Sequence, residues 1–190
     1  MKKMFLMYST LLYAFAAALP VYGASHGDHG EAHNDHGPEI THAIAVLHPT
    51  EGNEARGVVR FTKVDEGIEI VAELTGLAAN GLRGFHVHQY GDCHAPDGTS
   101  AGGHFNPLDH LHAGPEEEQR HVGDLGNIEV DAEGNATYRR VDKHLSFKGK
   151  TSIIGRSVIV HAETDDLETQ PTGDAGPRVA CGVIGIAQGE

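Results

Sequence analysis

The sequence predicts an all-β fold: an eight-stranded antiparallel β-barrel or sandwich with two long functional loops. Three observations predict it. Apolar residues recur with a period of two in short runs, the spacing that places alternate side chains on one face of a strand. Turn signatures separate these runs, as in Asp65-Glu66-Gly67 and Glu133-Gly134-Asn135. The composition is turn-rich, with 25 glycines, 6% aromatic residues and no Trp, and no stretch has the pattern of a helix of normal length.

Each element follows in order. Residues 43–47 form a short strand. Residues 58–64 and 68–74 alternate on either side of Asp65-Glu66-Gly67 and make a hairpin. Residues 84–89 form the next strand. Residues 127–131 and 136–141 flank Glu133-Gly134-Asn135 as a second hairpin, and 157–161 and 179–186 are apolar, β-branched strands. Residues 90–126 and 162–178 are poor in strand signals. Loops of that length inside a compact domain usually carry function. The chain of 190 residues, with 39% hydrophobic residues, suffices for one domain of ordinary size, placed at 42–190.

Residues 1–23 read as a secretory signal peptide. Lys2 and Lys3 precede an apolar run from Met4 to Val21, and Val21 and Gly23 are small enough to flank a cleavage site after Gly23. The alternative is a retained membrane anchor. The run is short for that, and Tyr8, Ser9 and Thr10 interrupt it. The expected location is therefore outside the cytoplasm, in a bacterial periplasm or the extracellular space, with no membrane attachment after cleavage. Loss of the two lysines takes the formal charge from −13 to −15. Such a chain has no bulk attraction for nucleic acid or anionic lipid.

Residues 24–41, ASHGDHGEAHNDHGPEIT, form a polar leader without apolar periodicity, read as disordered. Its His26, His29, His33 and His36 make it either a metal-collecting tail or a solubilising one. Cys93 and Cys181 are the two cysteines of the chain, and export to an oxidising compartment favours a disulfide over two buried thiols.

Histidine is over-represented, with 15 in the chain. His86 and His88 lie two apart in a strand, so both rings leave the same face, as two ligands of one metal must. The segment 104–124, HFNPLDHLHAGPEEEQRHVGD, holds His104, His110, His112, His121 and Asp124. Three imidazoles and a carboxylate suit a closed tetrahedral zinc site, and such an ion would order a loop with few apolar contacts.

On these residues the chain resembles the copper/zinc superoxide dismutases. The matching segments are GFHVHQYGD at 84–92, GGHFNPL at 102–108, RHVGDLGN at 120–127, IIGRSVIVHAETDDL at 153–167 and GDAGPRVACGVIGIAQ at 173–188. The resemblance implies a Greek-key barrel that binds one copper and one zinc per subunit and disproportionates superoxide. It implies copper ligands at His86, His88, His104 and His161, and zinc ligands at His104, His112, His121 and Asp124, with His104 shared as a bridging imidazolate. Asp165 would link a copper-ligand histidine to a zinc-ligand histidine. Cys93 and Cys181 would form the intrasubunit disulfide. Arg178 and His104 would be catalytic, Arg178 facing the open side of copper. In the implied cycle, one superoxide reduces Cu(II) and leaves as dioxygen while His104 takes up a proton. A second reoxidises Cu(I) and leaves as hydrogen peroxide. A homodimer is also implied. His110 falls outside the family's ligand spacing and reads as exposed, with an accessory metal contact as the alternative.

Two departures from the pattern matter. The segment 162–178 is shorter than in many animal relatives and lacks lysine, notably at Thr164 and Pro171, which leaves Lys143, Lys148 or Lys150 as candidates for attracting the substrate. The inserted HAPDGTSA after Cys93 resembles bacterial exported members, whereas Ile154, Gly155 and Ile186 resemble the animal-type dimer contact. Rival readings are a copper carrier of the same fold and a zinc-stabilised adhesion module. A complete copper set with His161 and Arg178 argues against both.

Overall fold

Alternation of apolar residues produces the strands that the sequence predicts, and the barrel interior collects them. The computed structural model describes residues 39–189. Its strands are β1 (His42–Pro49), β2 (Arg56–Val64), β3 (Gly67–Thr75), β4 (Gly81–His88), β5 (Asp124–Val130), β6 (Ala136–Asp142), β7 (Ser157–His161) and β8 (Arg178–Ile186). A single 3-10 turn, Thr99–Ala101, is the one helical element among the described residues. None of their helices is long and apolar enough to cross a membrane. The signal peptide of residues 1–23 and the histidines 26, 29, 33 and 36 lie outside the described residues.

The strands close into a barrel in the order β1-β2-β3-β6-β5-β4-β7-β8, every pair antiparallel. Tight turns join β2 to β3 and β5 to β6, as expected. In the second, the Asp131 carboxylate accepts from the amides of Glu133 and Asn135. The chain leaves β3 for β4 and β6 for β7 across the barrel, the crossings that make it a Greek key.

Inward residues of every strand fill one core, among them Leu47, Phe61, Ile70, Phe85, Ile128, Val160 and Ile184. Each large aliphatic or aromatic side chain buried this way contributes roughly 1.5–3 kcal/mol. Residues 39–41, at the end of the expected leader, are tied to the barrel: Ile40 packs against the core and the Thr41 carbonyl accepts from the Lys63 amide.

Strand order explains where the long loops go. The loops 89–123 and 162–177 join neighbouring strands, β4 to β5 and β7 to β8, and β4 lies between β5 and β7. Both loops therefore fold over the outer face of β4. Cys93 in the first is bonded to Cys181 of β8, with Cα atoms 5.8 Å apart. Closing a loop over 88 positions removes unfolded-state entropy worth roughly 4–5 kcal/mol.

Candidate metal centre

β4 decides the geometry. Phe85 and Val87 point into the barrel, and His86 and His88 point out from it. Both rings are nonetheless fully buried, because the loops cover them. β7, paired with β4, delivers His161 at its end. The backbone of Val87 recruits the rest: its amide donates to the Gly123 carbonyl and its carbonyl accepts from the Phe105 amide. The loop that begins at His104 and ends at Asp124 is thus pinned at both ends beside the same residue. A Cβ at position 123 would lie 2.1 Å from the Val87 oxygen, so the approach requires glycine.

Two ligand groups result, and they share one residue. His86, His88, His104 and His161 bring one ring nitrogen each within 4.8 Å of one another. His104, His112, His121 and Asp124 do the same with three nitrogens and a carboxylate oxygen. All seven residues are buried. His104 turns Nδ1 to Asp124, 2.8 Å away, and its Nε2 has no hydrogen-bond partner.

The hydrogen bonds fix the proton on each ring. His88 Nδ1 faces the Gly102 carbonyl at 3.0 Å and His161 Nδ1 faces the Gly176 carbonyl at 2.9 Å. Carbonyls only accept, so both Nδ1 atoms carry the proton. Their Nε2 atoms are then bare lone pairs, and they face each other at 3.3 Å. His86 donates from Nε2 to Asp165, which leaves Nδ1 bare, buried and unpartnered. A buried polar atom without a partner costs about 1–3 kcal/mol, and converging lone pairs repel. A cation among them removes both penalties. In the second group, Nδ1 of His104, His112 and His121 lie 2.8, 3.0 and 3.2 Å from the same Asp124 oxygen. The last two are not aligned to donate to it. Four donors around zinc at about 2.0–2.1 Å sit about 3.3 Å apart, so the set is close to that size. The residues fit a metal at both places.

Charges follow the same division. Burial pushes His86 and His88 well below the usual imidazole value, helped by the neighbouring His104, and pushes His161 down to about 4. Burial lowers His104 too. His112 goes the other way: burial opposes its charge, but the adjacent carboxylates of Asp124 and Asp165 outweigh it and raise the ring to about 9. Burial likewise opposes ionisation of Asp124 and Asp165, and their histidine partners hold both far below the ordinary carboxylate range.

Asp165 joins the groups, accepting from His86 Nε2 at 2.7 Å and His112 Nε2 at 2.9 Å. Its backbone is gripped by Asn127, whose amide donates to the Asp165 carbonyl and accepts from the Asp165 N–H. Gly173 packs against this bridge with φ of 64°, and a Cβ there would lie 1.8 Å from Asp165 Oδ1. Arg120, almost wholly buried, pairs with Asp142 and donates to the His121 carbonyl, anchoring that end of the loop to β6. The sequence reading passes over Asn127, Gly173 and Arg120, although each lies inside or beside a matching segment. His110, expected to be exposed, is half-buried with its ring against the Arg120 carbonyl.

Arg178 opens β8 beside this centre. Its guanidinium donates to the carbonyls of Gly98 and Gly102. The Gly102 carbonyl also holds His88, so one oxygen positions both side chains. A cavity of about 590 Å³ reaches Arg178 and is lined also by Thr50, Glu51, Asn53, Asp97, Thr99, Gly176 and Pro177. No lysine lines it. Lys143 faces Glu116, Glu117 and Glu118 in another cavity, and Lys148 lies in a third with Glu39.

A closed antiparallel barrel carrying two adjoining ligand groups that share an imidazole defines a two-metal β-barrel protein. Comparison with known proteins names the class. Residues 55–184 match the family model described as copper/zinc superoxide dismutase. A Cu-Zn superoxide dismutase of Kluyveromyces lactis is 48% identical over 156 residues, covering 78% of this chain and 99% of that one. An extracellular Cu-Zn superoxide dismutase of Brugia pahangi is 48% identical over 155 residues, covering 76% of each. The crystal structure of the clock protein EA4 superposes with a TM-score of 0.72 at 42% identity, covering 80% of this chain and 99% of that one. This chain belongs to the copper/zinc superoxide dismutase family. It is an oxidoreductase with copper and zinc as cofactors, and it converts superoxide to dioxygen and hydrogen peroxide.

The metal-free chain should lose stability in mild acid. Four of its histidines resist protonation when folded and accept protons near pH 6.5 when unfolded. The unfolded state therefore binds more protons as the pH falls from 6.5 towards about 4, where His161 titrates. His112 acts in another window: its contribution is complete below 6.5 and is lost as the pH rises through about 9. Urea midpoints of the metal-free protein should be lower at about pH 5 than at about pH 7. Equal midpoints would contradict the burial of these rings.

Proposed function

We propose that this chain is an exported, homodimeric superoxide dismutase in which His86, His88, His104 and His161 hold copper and His104, His112, His121 and Asp124 hold zinc. The observation that carries the assignment is His104, one buried ring with Nδ1 in the carboxylate-containing group and an unpartnered Nε2 towards the other three histidines. Four imidazoles suit copper, and three imidazoles with a carboxylate suit zinc.

Bound copper supplies one-electron redox chemistry and zinc a fixed positive charge beside His104. The chain's residues supply the rest. Arg178 is always charged, and its tethers to Gly98 and Gly102 keep it at the cavity wall. There it attracts and orients the superoxide anion. Two superoxide anions and two protons give one dioxygen and one hydrogen peroxide. His104 Nε2 takes up one of those protons and hands it to the departing peroxide, and water supplies the other. Asp165 keeps the rings of His86 and His112 in the tautomers this arrangement needs.

Metal analysis beside a superoxide assay tests the assignment. His88→Ala should lose copper and activity while keeping its zinc and its fold by circular dichroism. Arg178→Glu should retain both metals, turn over more slowly and respond less to salt. Activity without bound copper, or an Arg178→Glu rate equal to the natural one, would overturn the corresponding role.

The outer face of β1 and β8 supports dimerisation. Val46 and Val183 are exposed there, Ile186 follows at the strand end with 64% exposure, and the Gly155 amide docks the adjoining turn onto the Ile184 carbonyl. The lysine-flanked apolar start and the Cys93–Cys181 bond support export, to the periplasm in a bacterial cell. The expected results are a mature chain beginning at Ala24 by mass spectrometry and a dimer by sedimentation; an uncleaved chain or a monomer removes the respective part.

His26, His29, His33 and His36 are read as a tail that gathers metal. Deleting residues 24–37 should leave the fully loaded enzyme's turnover intact and slow metal uptake when metal is scarce. Equal uptake would leave the tail a solubilising one.

A further inference from the structure

The loop 162–177 reaches His112 by two routes. Asp165 holds its ring from one side. From the other, the carboxamide of Gln170 holds its main chain: Oε1 accepts from the His112 amide at 2.8 Å, and Nε2 donates to the His112 carbonyl at 2.8 Å. The second proton on Nε2 goes to the Glu168 carbonyl at 3.0 Å. The amide oxygen faces one donor and the amide nitrogen two carbonyls, so the orientation is fixed and only a carboxamide satisfies all three partners. On either side of His112 the loop 89–123 is fixed, His110 by the Asn106 carboxamide and Ala113 by the Asp124 carboxylate, whereas the main chain of His112 itself is held by Gln170 from the other loop.

We propose that Gln170 is a positioning residue for His112, a tie between the two loops that sets how firmly the zinc group is held. The inference rests on His112 being a zinc ligand. Its physical basis is entropy. A ligand on an irregular loop must be ordered before it can bind, and a main-chain clamp orders it in advance. Because Gln170 is an exposed residue, water replaces part of the lost bonding, which places the effect near the low end of the range for residues that support metal ligands.

The test follows zinc release from the zinc-loaded full chain to an excess of chromogenic chelator. The natural chain is compared with Gln170→Ala, Gln170→Glu and His112→Ala. Gln170→Glu keeps the length and the acceptor but loses both donors, so it separates hydrogen bonding from bulk. Both Gln170 variants should release zinc about tenfold faster with unchanged copper content. In the metal-free proteins the His112 amide should exchange its hydrogen faster in Gln170→Ala. With cobalt(II) in place of zinc, the visible absorption of both variants should depart from the natural spectrum, which loss of general stability alone would not cause. If Gln170→Ala fails to fold, Gln170→Glu carries the comparison. Release at the natural rate in the Gln170 variants, with zinc lost from His112→Ala, overturns the role of Gln170 alone. Zinc held normally by His112→Ala overturns the zinc assignment and this inference with it.

Discussion

Bare ring nitrogens of His86, His88 and His161 converge on one buried point beside the unpartnered Nε2 of His104. Imidazoles left this way in a dry interior repel one another and forgo hydrogen bonds that water would have given them. The surrounding structure accepts that cost because every alternative is blocked. The opposite nitrogen of each ring is committed to a carbonyl or carboxylate, and β4 cannot rotate without taking Phe85 and Val87 out of the core. Ligand geometry thus derives from core packing, through the alternation of one strand.

The outer face of β4 is buried by loops, and loops of this length are costly to order. The molecule fixes them at few, well-chosen points. Val87 takes both ends of the segment 104–124, Cys93–Cys181 ties the first loop to β8, and Asp165 and Gln170 tie the second loop to the first. Metal ions would close what these ties leave open, since each draws together residues from separate parts of the chain. Fold and site are therefore not separable here.

Periodicity made the eight strands legible, and the spacing of His86 from His88 already put two rings on one face. Ser157–His161 has the bounds expected of it, whereas β4 begins at Gly81 and β5 at Asp124, earlier than their apolar signals, because glycines and a buried carboxylate occupy those strand starts. Strand order was beyond periodicity: nothing in alternation says that β4 lies between β5 and β7, and the ligand grouping depends on it. The supporting residues were illegible for a similar reason. Gln170 and Asn127 act through main-chain atoms of distant residues, and Arg120 looks like any surface arginine until Asp142 is found beside it. Gly123 and Gly173 serve by lacking a side chain, a role that a sequence displays only as one more glycine.

Substrate charge sets the last constraint. Superoxide is an anion, and the chain is strongly acidic at −13. Screening confines the relevant field to about 8–10 Å, so total charge matters less than what lines the approach. The cavity at Arg178 is lined by one cation and two carboxylates, Glu51 and Asp97, with no lysine. Arg178 is fixed by carbonyls instead of being neutralised in an ion pair with either acid, so its charge stays uncompensated at the cavity wall. On the proposed role of Arg178, attraction in this chain depends on that single guanidinium and on the copper the histidines would hold. That same guanidinium shares the Gly102 carbonyl with His88, so one loop conformation sets the orientation of both side chains.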